Sequence, residues 1–221
     1  MSIRRKESAM IKIENTEVSG WEAAIRGMRN PKLSYGMSDS HYTFGCDAVN
    51  RAFKVGKNDQ RLMQTLADAG TDHGKFLRMI NVTCDITAPT YWIAEHDTYK
   101  VGTVRNSCSF MHKGVSRPFS LSDFSFDKDD TEIMTIIVNK LNALRNEYLE
   151  AGNNAMKDAI FFRIRQLLPS GYNQRYTWQA NYAVLRNIYH ARKNHRLPEW
   201  HDFRVWIESL PYSELITGTR E

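Results

Sequence analysis

An α+β fold, with an antiparallel-type sheet and long helices, is what the sequence predicts, on three observations. Ile80-Asn81-Val82-Thr83-Cys84-Asp85-Ile86-Thr87 alternates strictly between apolar and polar, the period of a half-buried strand. Ile133, Ile136, Ile137, Leu141, Leu144 and Tyr148 recur at helical spacing over a long stretch. Short strand signals thus come early and long helical signals late, which is the α+β pattern and not a βαβ repeat. A length of 221 residues, 42% of them hydrophobic, suits a single domain over 1–221 with a substantial core.

The elements follow in order. Met10-Ile11-Lys12-Ile13-Glu14 predicts a short strand, and Gly20 to Arg26 a helix ending near Gly27 before the break at Arg29-Asn30-Pro31. Ser34 to Gly45, rich in Ser, Gly, Tyr and Asp, predicts a loop. Asp59 to Ala69 predicts a helix with Asp59 as cap, Gly70 as stop, and Leu62, Met63, Leu66 and Ala69 as its apolar face. After the alternating strand, Pro89 suits the first turn of a helix running through Tyr91, Trp92, Ile93 and Ala94 towards Thr98–Gly102. Residues 112 to 130 read as a polar connection within the domain, carrying Gly114, Pro118, Asp127, Asp129 and Asp130. The long helix stops at Gly152, and another runs from Met156 to Leu168, closed by Pro169-Ser170-Gly171. A further helix is predicted from Gln174–Thr177 to about His195, and a last one from Trp200 to Leu210.

Composition narrows the function classes. Thirty Lys and Arg against 25 Asp and Glu leave a net charge of +5, with the basic residues spread among the acids. A duplex binder would concentrate them in a stripe, so no nucleic acid is expected as partner, and an anionic small molecule is only slightly favoured. No apolar run reaches the roughly 18–20 residues of a membrane helix, and no apolar h-region follows the basic start, so the chain reads as cytoplasmic. Cys46, Cys84 and Cys108 form no CxxC and support neither a disulfide framework nor a zinc site. His190, His195 and His201 are five and six residues apart, off the i, i+4 spacing of helical metal ligands. Ser107, Cys108 and Ser109 lack a local His or acid partner, so covalent catalysis has no support, and Walker, GxGxxG and GxSxG motifs are absent.

Two sets of polar residues remain. Asn181, Leu185, Ile188 and Arg192 fall on one helical stripe with a polar group at each end. Asn181 as a cap and Arg192 against a surface acid is one reading; both aimed into a ligand site, with a guanidinium fork on a planar base or phosphate, is the other. Arg163 and Arg165 precede the Leu168-Pro169 stop, as surface charges or as phosphate contacts. The aromatic residues at 172, 176, 178, 182 and 189 read as core rather than as a stacking platform.

Leu168-Pro169-Ser170-Gly171-Tyr172-Asn173-Gln174-Arg175-Tyr176-Thr177-Trp178-Gln179-Ala180-Asn181, with Leu185, Asn187 and Arg192, resembles the C-terminal half of the flavin-dependent thymidylate synthases, the ThyX family. Arg61 to Gly70, the strand Ile80–Ile86, Ala88-Pro89 and Asn30-Pro31-Lys32-Leu33-Ser34-Tyr35-Gly36 follow the family's order, so the resemblance covers most of the chain. It implies a ThyX-like fold and a homotetramer that holds FAD between subunits. It also implies reduced nicotinamide (NADPH) and methylenetetrahydrofolate as co-substrates, and a pyrimidine deoxynucleotide as substrate. By that resemblance Arg165 would take the nucleotide phosphate and Arg192 the pyrimidine ring, while Asn187 would line the flavin site with Asn181 in support.

The family's signature, Arg-His-Arg-x-x-Ser-x-Asn-Glu-x-Ser-x-Arg, falls where this chain reads Thr98 to Phe110. Lys100 stands for an Arg, Thr103 for a Ser, and Asn106 and Ser109 match with a one-residue slip. These imply Lys100, Thr103 and Asn106 on the cofactor side and Ser109 on the nucleotide. Glu95 replaces a nucleotide-contacting Gln, and its acceptor oxygens suit an exocyclic amine, which brings dCMP in beside dUMP. Two expectations follow: a one-carbon transferase acting on a pyrimidine nucleotide, or a nucleotide-binding or oligomeric protein of the same scaffold without turnover.

Overall fold

The structure, a computed structural model, describes residues 11–44 and 51–218. Met10, Gly45 and Cys46, which the sequence assigns to a strand, a loop and a free thiol, lie outside the described residues. In chain order, the first strands and helices are β1 (Lys12–Ser19), α1 (Trp21–Arg29), β2 (His41–Phe44), β3 (Arg51–Lys54), α2 (Lys57–Asp68), β4 (Asn81–Pro89) and α3 (Thr90–His96). They are followed by β5 (Val104–Ser107), α4 (Phe110–Lys113), α5 (Thr131–Glu150), α6 (Asn154–Leu167), β6 (Asn173–Asn181), α7 (Tyr182–Ala191), α8 (Pro198–Glu208) and α9 (Glu214–Thr217). The main sheet has the order β1-β4-β6-β5, and β2 and β3 pair antiparallel as a separate ribbon. No described helix is long and apolar enough to cross a membrane.

The chain groups into two compact units, one built chiefly from Ile86–Thr98 and Asn106–Tyr176, the other from the described parts of Ile13–Asp85, Tyr99–Arg105 and Thr177–Glu221. In the first unit, α5 and α6 pack on each other around Met134, Val138, Leu141, Leu144 and Ile164, with Phe110, Val115, Phe119 and Phe124 completing the core. Each fully buried aliphatic or aromatic side chain of this kind contributes about 1.5–3 kcal/mol. The stretch 112–130 is therefore more than a polar connection, because three of its apolar side chains anchor it to that core. The predicted face of the long helix is also shifted. Leu141 and Leu144 are buried as expected, yet Ile133 and Ile136 are 52% and 58% exposed, because the neighbouring arc of Met134 and Val138 faces the core instead.

In the second unit, α7 packs on α8, α9 and the 3-10 turn Gly74–Met79 through Tyr182, Leu185 and Ile188. Trp200, Phe203 and Ile207 of α8 are wholly buried, with Phe203 against Trp178 at 6.0 Å. The turn into α1 requires glycine at position 20. Its φ is 91°, and a Cβ there would lie 2.0 Å from the Met79 carbonyl oxygen.

Several elements depart from expectation. The strand predicted at 10–14 continues to Ser19, and α1 passes through Gly27, which sits under the Met79 side chain instead of ending the helix. The stretch from Ser34 contains a 3-10 turn at Tyr35–Met37 and then β2. Helix α2 starts at Lys57, so Asp59 is not its cap. Asp39 takes that role by accepting from the Asn58 and Asp59 N–H groups at 2.9 and 3.1 Å. Asp59 is instead buried and accepts from Arg29 Nε at 2.7 Å, Arg29 Nη2 at 2.6 Å and the Ser38 and Ser40 hydroxyls at 2.6 Å. Met63 and Ala67 face inward on α2, and Ala69 is exposed. Pro89 is the cap residue of α3, which ends at His96, short of Thr98–Gly102. The largest correction is at Gln174–His195. Residues up to Asn181 form β6, burying Tyr176, Trp178 and Ala180 alternately, and only Tyr182–Ala191 are helical.

Candidate functional site

A pocket of about 320 Å³ in the first unit is lined by Thr90, Ser107, Cys108, Ser109, Phe110, Met111, Arg165, Tyr172 and Gln174. Its walls are set by backbone geometry. The Thr90 and Tyr91 N–H groups open α3 by donating to the Tyr172 and Ser170 carbonyls, both at 3.0 Å, which meets donors that a helix start leaves unsatisfied. Gly171 permits a close approach of two chains: Ser125 N–H donates to its carbonyl at 2.7 Å, and a Cβ on it would come within 2.3 Å of the Ser125 oxygen. Across the pocket, Cys108 N–H donates to the Arg175 carbonyl and the Gln174 amide donates to the Cys108 carbonyl, each at 2.9 Å. The Ser107–Ser109 segment is thereby clamped to the start of β6.

Arg165, in the last turn of α6, brings the one charged side chain among the described lining residues. Its guanidinium lies 5.0 Å from the Phe110 ring centroid, and Phe110 meets Tyr172 edge-on at 5.5 Å. Burial first, and then the Asp123 charge, pushes the Tyr172 phenol above its ordinary pKa, so it stays a neutral hydroxyl at physiological pH. One fixed cation with several hydroxyls and an amide makes a site for a compact anion carrying oxygen acceptors.

A second pocket, about 290 Å³, belongs to the other unit. Ala67, Leu77 and Ala183 give it apolar walls, while Arg78, Arg186, Asn187 and His190 bring donors to its rim. Arg186 is anchored by donating to the Leu215 carbonyl at 2.8 Å and to Asp68 at 3.2 Å. Burial, followed by the Arg186 charge, lowers the His190 pKa, so its ring is neutral at pH 7.

The structure thus brings some of the candidate residues together and separates others. Arg165 and Ser109 line the first pocket, and Asn187 lines the second. Glu95, in the last turn of α3, lines neither. Arg163 pairs with Glu147 at 3.1 Å on the surface. Asn181 is the cap of α7, its side-chain oxygen accepting from Val184 N–H at 3.1 Å. Thr103 closes a turn by donating to the Tyr99 carbonyl at 2.7 Å, and Lys100 and Asn106 are exposed. Arg192 is the cap residue at the end of α7. Its guanidinium lies 4.5 Å from the Trp200 ring centroid, and its Nε donates to the Tyr99 hydroxyl at 2.8 Å. Of the five aromatic residues read as core, Tyr176, Trp178 and Tyr182 are buried, whereas Tyr172 lines the first pocket and Tyr189 is half-buried, its hydroxyl donating to Glu208 at 2.7 Å.

Sequence reasoning missed Thr90, Tyr172 and Gln174 as pocket residues, along with Tyr99, Arg78, Arg186 and His190. Only the i, i+2 alternation of Tyr176, Trp178 and Ala180 could have exposed β6, and with it the placement of Gln174.

No protein-family model matches the sequence, and no curated protein does. Among solved structures the likeness is clear. ThyX from Helicobacter pylori, complexed with FAD and dUMP, matches with a TM-score of 0.65 at 16% identity over 92% of this chain and 96% of that one. A second structure of that protein with FAD and dUMP gives 0.67 at 14%, over 93% and 96%. The UMP/dUMP methylase PolB from Streptomyces cacaoi, bound with 5-Br dUMP, gives 0.57 at 15%, over 95% and 96%. The chain therefore has the α+β fold of the flavin-dependent thymidylate synthases, as the sequence predicts.

Proposed function

We propose that the chain is a flavin-dependent nucleotide methyltransferase of the thymidylate synthase type, acting on the base of dUMP or dCMP. The observation that supports it is the meeting of Arg165 and Ser109, distant in sequence, in one pocket of hydroxyl and amide groups. Arg165 takes a nucleotide phosphate in that pocket with Ser109 beside it, and the family resemblance alone assigns Arg192 to a pyrimidine ring. Glu95 is the acceptor that favours a base bearing an exocyclic amine.

The second pocket fits part of a flavin: its apolar walls suit an aromatic ring, and its Arg, His and Asn donors suit carbonyl acceptors. Asn187 orients that ring, with Lys100, Thr103 and Asn106 on the cofactor side and Asn181 holding the start of α7. FAD, when bound, supplies the reducing equivalents that turn a methylene unit from methylenetetrahydrofolate into a methyl group, with NADPH as the source of electrons. The protein's part is to hold the phosphate, orient the base and exclude water. Exposed Ile133 and Ile136 on α5, with Met156 and Phe162 on α6, supply apolar surface for a homotetramer. A cytoplasmic location goes with this reading, since a reducing compartment suits the exposed Cys108 thiol.

A second reading, nucleotide binding without turnover, is favoured by the engaged side chains of Asn181 and Thr103 and by the exposure of Lys100. One experiment separates the two. The enzyme reading expects a yellow protein whose melting temperature rises with FAD and with dUMP or dCMP. A colourless protein stabilised by nucleotide but not by FAD supports the second reading, and no shift with any of them overturns both. Size-exclusion chromatography checks the tetramer, and a monomer would refute it.

A further inference from the structure

We infer that Tyr99 is a positioning residue for Arg192, fixing the guanidinium that the proposed function places on the pyrimidine base. The inference rests on that reading and adds a residue to it. Tyr99 is held at both ends. Its backbone carbonyl accepts from Thr103 Oγ1 at 2.7 Å, closing the 99–103 turn, in which Gly102 has a φ of 77°. At this glycine a Cβ would come within 3.2 Å of both the Asn181 amide and the Val184 side chain, so the turn sits against the start of α7. The other end of Tyr99 reaches the end of the same helix, where its hydroxyl accepts from Arg192 Nε at 2.8 Å. Four residues of loop therefore touch α7 at its first and last turns.

The ring planes complete the clamp. The Arg192 guanidinium lies 4.5 Å from the Trp200 centroid and 5.3 Å from that of Tyr99, and the two rings meet edge-on at 6.1 Å. Trp200 is wholly buried and cannot swing away. Held over the Trp200 ring and with its Nε on the Tyr99 hydroxyl, the guanidinium is restricted in position and rotation before any ligand arrives. A donor fork oriented in advance loses less entropy on binding than a freely rotating one. The same turn carries Lys100 and Thr103, so a change in that turn reaches Arg192 through the Tyr99 ring and hydroxyl.

The test uses the full-length protein and four forms: wild type, Tyr99→Phe, Arg192→Ala and the double variant. Tyr99→Phe keeps the ring and removes only the hydroxyl. Calorimetric titration with dUMP and dCMP is expected to show affinity falling about two- to tenfold in Tyr99→Phe, the scale of one hydrogen bond. Adding Tyr99→Phe to Arg192→Ala should cost nothing more, because the hydroxyl acts only through the guanidinium. An independent readout needs no nucleotide. Phenylglyoxal labelling of Arg192, followed by peptide mass spectrometry, should proceed faster in Tyr99→Phe than in wild type while the melting temperature stays close to wild type. Unchanged labelling and unchanged affinity overturn the inference, and so does an equal Tyr99→Phe effect with Arg192 absent. Faster labelling in a protein that binds neither nucleotide supports the clamp and overturns its assignment to a pyrimidine.

Discussion

Replacing Arg165 with Ala separates a ligand contact from a structural one, because the two roles differ in size. As a phosphate contact, its charge-assisted hydrogen bonds contribute about 1.5–3 kcal/mol. At about 1.4 kcal/mol per factor of ten, that is roughly 10- to 150-fold in dissociation constant. As a structural group it has little to lose. The side chain is exposed, and it meets the rest of the protein with its guanidinium 5.0 Å from the Phe110 centroid, an interaction of about 0.5–1 kcal/mol at such a site. For a chain of this size that shifts the melting temperature by only about 1–4 °C. The assay is calorimetric titration with dUMP and with deoxyuridine, which lacks the phosphate. Wild type should bind dUMP more tightly, and Arg165→Ala should remove most of that advantage while leaving deoxyuridine binding unchanged. Equal losses for the two ligands, unchanged dUMP binding, or a melting-temperature loss well beyond that range would each refute a phosphate role.

The remaining predictions concern stability and reactivity. Asp59→Asn leaves Arg29 buried without its counter-charge and should cost about 3–5 kcal/mol in urea unfolding. Burial opposes the Asp59 charge, but the Ser38, Ser40 and Arg29 bonds hold its pKa below the ordinary carboxylate value; its stabilisation is therefore full above that value and lost as pH falls through the depressed one, so wild type should approach the variant in strong acid. Asn181→Ala removes the acceptor for Val184 N–H and should destabilise by about 0.5–2 kcal/mol in the same assay. Burial, then the Asp85 charge, pushes the Cys84 thiol up to about 12, so peptide mapping after iodoacetamide treatment at pH 8 should find Cys84 unmodified and the exposed Cys108 alkylated. Nucleotide should slow the Cys108 reaction, since that thiol lines the Arg165 pocket.

What the sequence disclosed was punctuated structure. Strand β4 and the start of α3 were legible because alternation and Pro89 coincide, and α6 because Pro169-Ser170-Gly171 stops it. The passage from β6 to α7 carries no glycine or proline. A strand that runs directly into a helix leaves only the Asn181 cap as a mark, and the helical spacing of Leu185 and Ile188 carries no sign of where the helix begins. On α5 the apolar residues cover an arc wider than the core can bury, so periodicity alone admits two faces, and the surrounding core selects Met134 and Val138 over Ile133 and Ile136.

The same distinction governs which candidate residues stand out in the sequence. Arg165 near the end of α6, Ser109 just before α4, and Asn181 and Arg192 at the two ends of α7 all stand at element boundaries. Boundaries are where backbone donors and acceptors lack partners, so polar side chains collect there and leave a sequence pattern. Tyr172 and Gln174 reach the first pocket from just before and just inside the start of β6, and their placement comes from pairings such as Gln174 with Cys108, between residues far apart in the chain. No local pattern encodes those pairings. Tyr99 is the instructive intermediate case. Its turn is marked locally by Gly102, but its hydroxyl is set by Arg192 at the far end of another element. The 98–110 stretch, which differs from the ThyX signature it resembles, thus reaches Arg192 through the Tyr99 hydroxyl, a contact that no spacing within that stretch encodes.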